Sequence, residues 1–307
     1  MELSRGLNGS LLPSATYPVS PSKCYLPPQM NKPTRTRWKI AGLLCMVATV
    51  NYFQRVNISV AADPMMKAFQ LTQTQMGSVF SAFLVGYMFF QIPGGMLADR
   101  FGPRRVLGWA TLSWGLFTFL TGMVSTLAAM TGASVLVALI ALRFVFGISQ
   151  GPMFPAGTRA VVNWFPFSER ARANGLCITG LSIGSFLMPP LVSWMVLNLS
   201  WERSFYVAAV AAVLAAAAWG WYVRDHPSQH RAVNGAELSL IRRDASPTAS
   251  PRLDFTVLKL QLRNGNLLRL VLSYTLNGYV SYVFVFWFYL YLLQVRHFGQ
   301  AERAWLT

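Results

Sequence analysis

Long uncharged apolar runs alternate with short charged segments along the chain, and this pattern predicts membrane-spanning helices. A helix needs about 20 consecutive apolar residues to cross a bilayer, and each of the charge-free runs reaches that length. The runs are Ala68–Ala98, Val106–Leu142, Ala173–Trp201, Ser204–Val223 and Leu270–Val295. Each holds at least one span, and the second is long enough to begin another. We therefore expect an all-α polytopic membrane protein.

Turn and proline signals divide the sequence into seven predicted spans. They are Lys39–Ala62, Gln75–Leu97, Val106–Val124, Ala133–Phe154, Ala173–Leu197, Ser204–Val223 and Leu267–Leu293. Pro152 and Pro155 should end the fourth helix, because proline removes a backbone donor. The expected domains are a disordered cytoplasmic tail (1–36), a six-helix bundle (37–223), a cytoplasmic linker (224–266) and the first helix of an incomplete second bundle (267–307).

Composition and charge support this class. Only 12% of the residues are charged, against about 25% in soluble domains. A net charge of +16 would suggest nucleic-acid binding in a soluble protein, but basic residues interleaved with aromatics are absent. Placing the N-terminus in the cytoplasm puts most Lys and Arg on the cytoplasmic side, as the positive-inside rule requires. We expect a multi-pass protein of the cell membrane, in contact with the lipid bilayer.

Cysteine and histidine positions indicate no cofactor or metal. The three residues of each type are scattered: Cys24, Cys45, Cys177, His226, His230 and His297. Neither a disulfide framework nor a metal-ligand spacing follows. A nucleophile–base pair and a phosphate-binding loop are also missing, so an enzyme is not expected.

Two arginines within apolar runs are the main candidates for function. Arg55 and Arg143 lie inside predicted spans, where charge is costly and usually functional. The predicted spans contain no Asp or Glu, so the two guanidinium groups should attract an anion, and a carboxylate matches their geometry best. Two structural alternatives stay open: Arg55 is close enough to a helix end to snorkel, and either arginine could bond backbone carbonyls.

Other polar residues share helix faces with these arginines or with one another. The predicted faces hold Tyr52, Arg55 and Ser59 on the first helix, Tyr87 and Gln91 on the second, Arg143, Gly147 and Gln150 on the fourth, and Asn277 on the seventh. Each uncharged residue could instead make an ordinary interhelical hydrogen bond. Three inner helices with polar faces nevertheless predict a common binding site.

The turn between the second and third helices has a specific pattern, G-x-L-A-D-R-x-G-x-R-R, over Gly95–Arg105. It resembles the loop between helices two and three of major facilitator transporters. That resemblance implies two six-helix halves around a long linker. It also implies that Gly95, Asp99, Arg100, Gly102 and Arg104 form part of a cytoplasmic gate.

Further motifs resemble the anion:cation symporter family, which includes hexuronate, glucarate and galactonate transporters and sialic-acid carriers. The matching segments are Arg55–Ala61, Gln91–Gly95, Arg143–Gly147, Pro152–Pro155 and Asn163–Pro166. The resemblance implies that Arg55, Tyr52 and Tyr87 contact a sugar acid. It also assigns Arg143 to a motif that this family shares.

Two positions depart from the pattern of proton-coupled members of that family. Those members commonly carry Asp just before the first-helix arginine and Glu seven residues after the fourth-helix arginine. This chain has Gln54 and Gln150 there, and an amide cannot titrate. We expect that transport would not use the family's usual proton route, although another coupled ion stays open.

The expected function is secondary active or facilitative transport of small organic anions, such as sugar acids, by alternating access. Asn277 and Gln91 join the expected substrate-binding residues. The alternative is a truncated, non-transporting fragment or a half-unit that needs a partner, because five helices of the two-half layout are missing from the 307 residues.

Overall fold

The computed structural model describes residues 32–243 and 263–296, and in these segments the regular elements are helices. The helices are α1 (Thr36–Phe69), α2 (Gln73–Phe101), α3 (Pro103–Gly122), α4 (Val124–Thr131), α5 (Val135–Gln150), α6 (Met153–Trp164), α7 (Phe167–Asn198), α8 (Trp201–Tyr222), α9 (Gly235–Arg242) and α10 (Gly265–Gln294). A short 3-10 turn occupies Pro227–Gln229. The all-α prediction is confirmed.

Five helical segments of the described residues are long and apolar enough to cross a membrane, and six if α3 and α4 form one span bent by 75°. α1 is not among them, although its 34 residues extend about 51 Å at 1.5 Å per residue. Its hydropathy is lowered by the polar residues Asn51, Gln54, Arg55 and Asn57. With α1 included, the number of spans agrees with the predicted seven.

The fourth predicted helix ends at Gln150 rather than Phe154, and a further helix begins directly after Pro152, which is a correction to the sequence-based boundary. α5 ends at Gln150, and α6 then continues from Met153 to Trp164. Pro152 occupies the N-cap of α6, and Pro155 lies in its first turn. Proline is tolerated at such positions, because the backbone N–H groups of the first turn have no partner inside the helix.

Glycines allow the inner helices to cross at close range. α1 packs mainly on α7, α2 on α5, and α3 on α8. A Cβ at Gly147 of α5 would meet the Phe83 carbonyl oxygen of α2, and one at Gly180 of α7 would meet the Cys45 carbonyl oxygen of α1. Gly147 and Gly151 on α5, like Gly180 and Gly184 on α7, have the Gly-x-x-x-Gly spacing that lets helices approach closely, and both pairs act in packing here.

The segment after α8 contacts the beginning of α1. The fully buried Glu237 of α9 accepts hydrogen bonds from the backbone N–H groups of Thr36 and Arg37, both 3.1 Å long. Arg37 also donates from Nε to Glu169 at 2.7 Å and from Nη1 to Glu237 at 3.1 Å. The Glu237 carboxylate thus satisfies free donors at the N-terminus of α1, where a negative charge is stabilising.

The predicted domain boundaries are not tested by this arrangement. Most of the predicted disordered tail and part of the linker lie outside the described residues, as do residues 297–307. Within the linker, the described part includes helix α9. The division into tail, bundle, linker and following helix stays a prediction.

The C-terminal half of α10 packs against α1 and α2. Phe286 stacks on Phe80 with ring centroids 4.8 Å apart. Ser59 donates to the carbonyl oxygens of Val285 and Phe286 at 2.8 and 3.1 Å. Most side chains in the first half of α10 are exposed. The helix therefore meets the bundle at the end opposite the α2–α3 turn.

Candidate functional site

Arg55 lies where α1, α2, α5 and α10 meet, and its side chain is 7% exposed. Its Nε donates to Gln150 Oε1 at 2.8 Å, and its Nη1 donates to Tyr282 Oη at 3.0 Å. The guanidinium carbon lies 4.7 Å from the Tyr87 ring centroid and 5.4 Å from the Phe83 centroid. The contacts are aromatic and neutral, so they position the cation without neutralising its charge.

Arg143 is the second buried cation, and it is 2% exposed. Its guanidinium carbon lies 5.0 Å from the Phe146 ring centroid and 5.6 Å from the Phe205 centroid. Its Nε and Nη2 have no hydrogen-bond partner in the described part of the chain. Arg143 and Arg55 line the same cavity of about 10 Å³, together with Phe83 and other apolar side chains.

Several buried N–H donors around this cavity lack an acceptor among the described residues. They are Arg55 Nη2, Gln150 Nε2, Arg143 Nε and Arg143 Nη2. A buried donor without an acceptor costs about 1–3 kcal/mol, and more when it is charged. The free donors and the two positive charges favour acceptor oxygens at this point, but a cavity of about 10 Å³ holds about one water, so the helices must separate before an organic anion can enter.

The turn between α2 and α3 is fastened to the end of α8. Gly102 adopts φ +86°, and a Cβ there would overlap the Asp225 carboxylate. Arg104 donates its backbone N–H to Asp225 Oδ1 at 2.9 Å, and its side chain donates to the Gly220 carbonyl oxygen. Trp219 Nε1 in turn donates to the Arg104 carbonyl oxygen at 3.0 Å. Gly102 and Arg104 therefore hold the turn within the bundle.

The other residues of the turn have different surroundings. Asp99 Oδ1 lies 3.5 Å from Arg159 Nε in a partly exposed ion pair. Arg100 is exposed and lies over the Phe101 ring, 5.2 Å from its centroid. Gly95 lies against Pro155 of α6. Asp99 and Arg100 are the members of the predicted gate that remain accessible to another part of a transporter.

Comparison with known proteins agrees with this architecture. The family described as "Major Facilitator Superfamily" matches residues 44–307. The chain belongs to the major facilitator superfamily. A bacterial homolog of the human lysosomal transporter Spinster, solved in an inward-facing and unoccupied conformation, has the same fold. The TM-score is 0.67 at 18% sequence identity, over 88% of this chain and 58% of that chain.

Curated relatives of this major facilitator chain are transporters of organic anions by name. It is 32% identical to the "Probable galactarate/D-glucarate transporter" of Bacillus subtilis over 284 residues, which cover 90% of this chain and 62% of the relative. It is 37% identical to the "Probable sulfoacetate transporter" of Cupriavidus necator over 228 residues, which cover 72% of this chain and 51% of the relative. The chain thus spans between 51% and 62% of the length of these relatives.

The major facilitator fold brings some predicted site residues together and separates others. Arg55, Tyr87, Arg143 and Gln150 surround or adjoin one cavity. Asn277 lies on the exposed half of α10.

Two further predicted residues are less closely involved. Tyr52 and Gln91 are half-buried, and neither side chain makes a hydrogen bond within the described residues. Tyr52 lies against Gly184 of α7.

The two predicted coupling positions differ in their surroundings. Gln150 accepts from Arg55, whereas Gln54 is directed toward α3 and α8. Gln54 Oε1 accepts from Thr118 Oγ1 at 3.1 Å, and its Nε2 donates to the Ala208 carbonyl oxygen at 3.5 Å. Adjacent residues of a helix point about 100° apart, so the side chains of Gln54 and Arg55 face different neighbours.

Sequence reasoning missed Tyr282 as a contact of Arg55. Its hydroxyl accepts from Arg55 Nη1, and its ring stacks on Phe286 with centroids 5.9 Å apart. Tyr282 and Phe286 are four residues apart on α10, a spacing that could have indicated that they share one packed face. It could not have shown that this face meets Arg55 on a helix more than 200 residues earlier.

Proposed function

We propose that this major facilitator chain binds a small organic anion between Arg55 and Arg143 and carries it across the cell membrane by alternating access. The observation that supports the proposal is a cavity with two buried guanidinium groups and several N–H donors without acceptors. Within residues 32–243 and 263–296, no carboxylate forms an ion pair with either arginine. An anion would supply the missing charge and the missing acceptors.

We further propose that the preferred anion carries two negative charges. One carboxylate would pair with Arg55, and a second acidic group would pair with Arg143. Galactarate, D-glucarate and sulfoacetate, which appear in the relatives' names, each carry two acidic groups. Gln150 and the aromatic hydroxyls of Tyr87 and Tyr282 would contact the substrate's own hydroxyl groups.

The proposed orientation places the N-terminus and the α2–α3 turn in the cytoplasm. Basic residues support it, because Arg100, Arg104 and Arg105 all lie at that turn, whereas Lys67 and Arg203 are at the opposite end. The packing of α10 on α1 and α2 closes the opposite end. The substrate would then reach Arg55 from the cytoplasmic side, after the helices around the cavity separate.

Anion binding to the purified chain tests the proposal. Thermal unfolding in detergent would be followed with galactarate, with galactonate as the singly charged acid, and with galactose as the neutral sugar. We expect galactarate to stabilise the chain most and galactose not at all, because only an anion compensates the buried cations.

Variants identify the residues that bind. Arg55→Gln should weaken galactarate binding at least about 30-fold, since loss of one partner of a buried charged pair costs 2–5 kcal/mol. Arg143→Gln should reduce the preference for galactarate over galactonate. The control is Arg203→Gln, at an exposed arginine of α8. Equal stabilisation by galactose, or unchanged binding in Arg55→Gln, would refute the proposal.

A further inference from the structure

A second and larger cavity lies on the outer surface of the bundle, between α2, α3 and α5. Its volume is about 470 Å³, within the range of about 300–1,000 Å³ for ligand pockets. It shares no lining residue with the arginine cavity. Its walls are mainly apolar and include Phe90, Trp109 and Phe117. Trp109 is 70% exposed, so this outer groove opens away from the described part of the bundle.

Arg105 stands at one end of the outer groove and has a free positive charge. It is exposed, and within the described residues its side chain makes no hydrogen bond or ion pair. The neighbouring acidic groups are already engaged. Asp99 pairs with Arg159, and Asp225 accepts the Arg104 backbone N–H. Arg104 differs, because its guanidinium is bound to the Gly220 carbonyl oxygen.

The length of the outer groove suits a lipid chain that enters from the membrane surface. From Arg105 to Phe117 along α3 the rise is about 18 Å at 1.5 Å per residue, compared with about 30 Å for the whole hydrocarbon core. Arg105 is at the start of α3, beside the α2–α3 turn, which places it at headgroup depth. Phe101 and Trp109 are exposed aromatic side chains near the same level, as is common at membrane interfaces.

We infer that the outer groove is a binding site for an anionic phospholipid. The phosphate pairs with the Arg105 guanidinium, and one acyl chain lies along the apolar wall formed by Trp109, Phe90 and Phe117. Charge complementarity selects the lipid, because a free guanidinium binds phosphate through parallel hydrogen bonds. Basic pockets between membrane helices on the cytoplasmic side bind anionic headgroups in the same way. The inference does not depend on the proposed transport substrate.

Quenching of tryptophan fluorescence by brominated lipids tests this site. The full chain in detergent micelles would be titrated with brominated phosphatidylglycerol and, separately, with brominated phosphatidylcholine. The difference between the wild-type protein and Trp109→Phe isolates the signal of the groove. We expect phosphatidylglycerol to quench this signal at about fivefold lower mole fraction, the factor that one basic side chain near an anionic surface supplies.

Arginine variants distinguish a specific headgroup contact from general attraction to a basic protein. Arg105→Gln should abolish the preference for phosphatidylglycerol, while Arg105→Lys should keep part of it. Arg231→Gln is the matched control, because Arg231 is also exposed and makes no side-chain hydrogen bond or ion pair among the described residues. The inference would be overturned if both lipids quenched equally or if Arg105→Gln kept the preference. It would also be overturned if Trp109 gave no quenching signal because a second copy of the chain covers the groove.

Discussion

At the residue scale, the main feature is that the two buried arginines have neutral neighbours. Arg55 bonds the Gln150 amide and the Tyr282 hydroxyl, and aromatic rings surround both guanidinium groups. A buried cation without a counterion is destabilising unless something else supplies the charge. The proposed anion site and the energetic cost of leaving these cations without a counterion thus have the same physical origin.

The neutral amide of Gln150 gives a prediction about pH. Gln150→Glu would place a carboxylate on Arg55 Nε, where it would neutralise the cation that the substrate needs. We expect anion binding at least about tenfold weaker at neutral pH, and recovery toward acid pH as the introduced carboxylate takes up a proton. Binding measured from pH 5 to pH 8 checks this, with the wild-type protein showing little dependence on pH.

Gln54→Glu is the control for this prediction, because Gln54 contacts Thr118 and the Ala208 carbonyl oxygen rather than Arg55. It should not make anion binding dependent on pH. If Gln54→Glu and Gln150→Glu had the same effect, contact with Arg55 would not be the reason that anion binding depends on pH.

At the element scale, α9 is attached to α1 by a single carboxylate. Burial raises the pKa of Glu237, but hydrogen bonds from Thr34, Arg37 and Thr36 outweigh it, so the pKa is lowered from its ordinary value of 4.5. A carboxylate with a lowered pKa contributes stability that is complete above the unfolded value and is lost as pH falls through the folded value. The contact between α9 and α1 should therefore weaken below about pH 4.5.

Glu237→Gln should loosen α9 at every pH and remove this acid-dependent step. The amide cannot accept all four hydrogen bonds or pair with Arg37. Hydrogen exchange of Gly235–Arg242 measures the effect, and we expect exchange to be at least about tenfold faster, since a lost charged hydrogen bond costs about 1.5–3 kcal/mol. Glu202→Gln, which changes a carboxylate with no hydrogen bond or ion pair among the described residues, should leave exchange in α9 unchanged.

At the scale of the whole molecule, α10 packs on α1 and α2 at one end of the bundle, and most side chains of its other half are exposed. Helix α10 contacts Ser59 and Phe80 at that end. Its Gln294 also accepts a hydrogen bond from Gln73 Nε2 at 2.6 Å. In an alternating-access transporter, such contacts between helices must separate during the cycle. A covalent link that keeps these contacts in place should hold α10 against α1 and α2.

A cross-link tests this view of the closed end. In a background without the native cysteines, Gln73→Cys with Gln294→Cys should react with a short dithiol reagent, detected by mass spectrometry of the digested chain. Anion binding should stay within about twofold of the uncross-linked protein, because Arg55 is approached from the other end. Gln73→Cys with Asn277→Cys is the control, because 17 residues of helix place Asn277 about 25 Å from Gln294. Loss of binding after cross-linking would show that the anion enters through the closed end.

Some features of this protein could be predicted from its sequence, and others could not. The spans, the buried arginines and the small-residue crossings follow from local patterns, since hydropathy and helix periodicity depend on neighbours in the chain. Pro152 misled the boundary of α5, because proline ends one helix and begins another equally well. The predicted gate mixed two roles: Arg104 anchors the turn internally, while Asp99 stays accessible.

The sequence by itself determined that this is a helical membrane protein of the major facilitator type with two cations and no acid in its predicted spans. Only the tertiary structure decided that Gln150 and Tyr282 hold Arg55 while Gln54 is directed elsewhere. It also decided that Arg104 is bound to Gly220, whereas the Arg105 side chain makes no hydrogen bond or ion pair within residues 32–243 and 263–296. The reason is that a side chain's partners come from helices distant in sequence, and their relative rotation and depth are set by packing of the whole bundle.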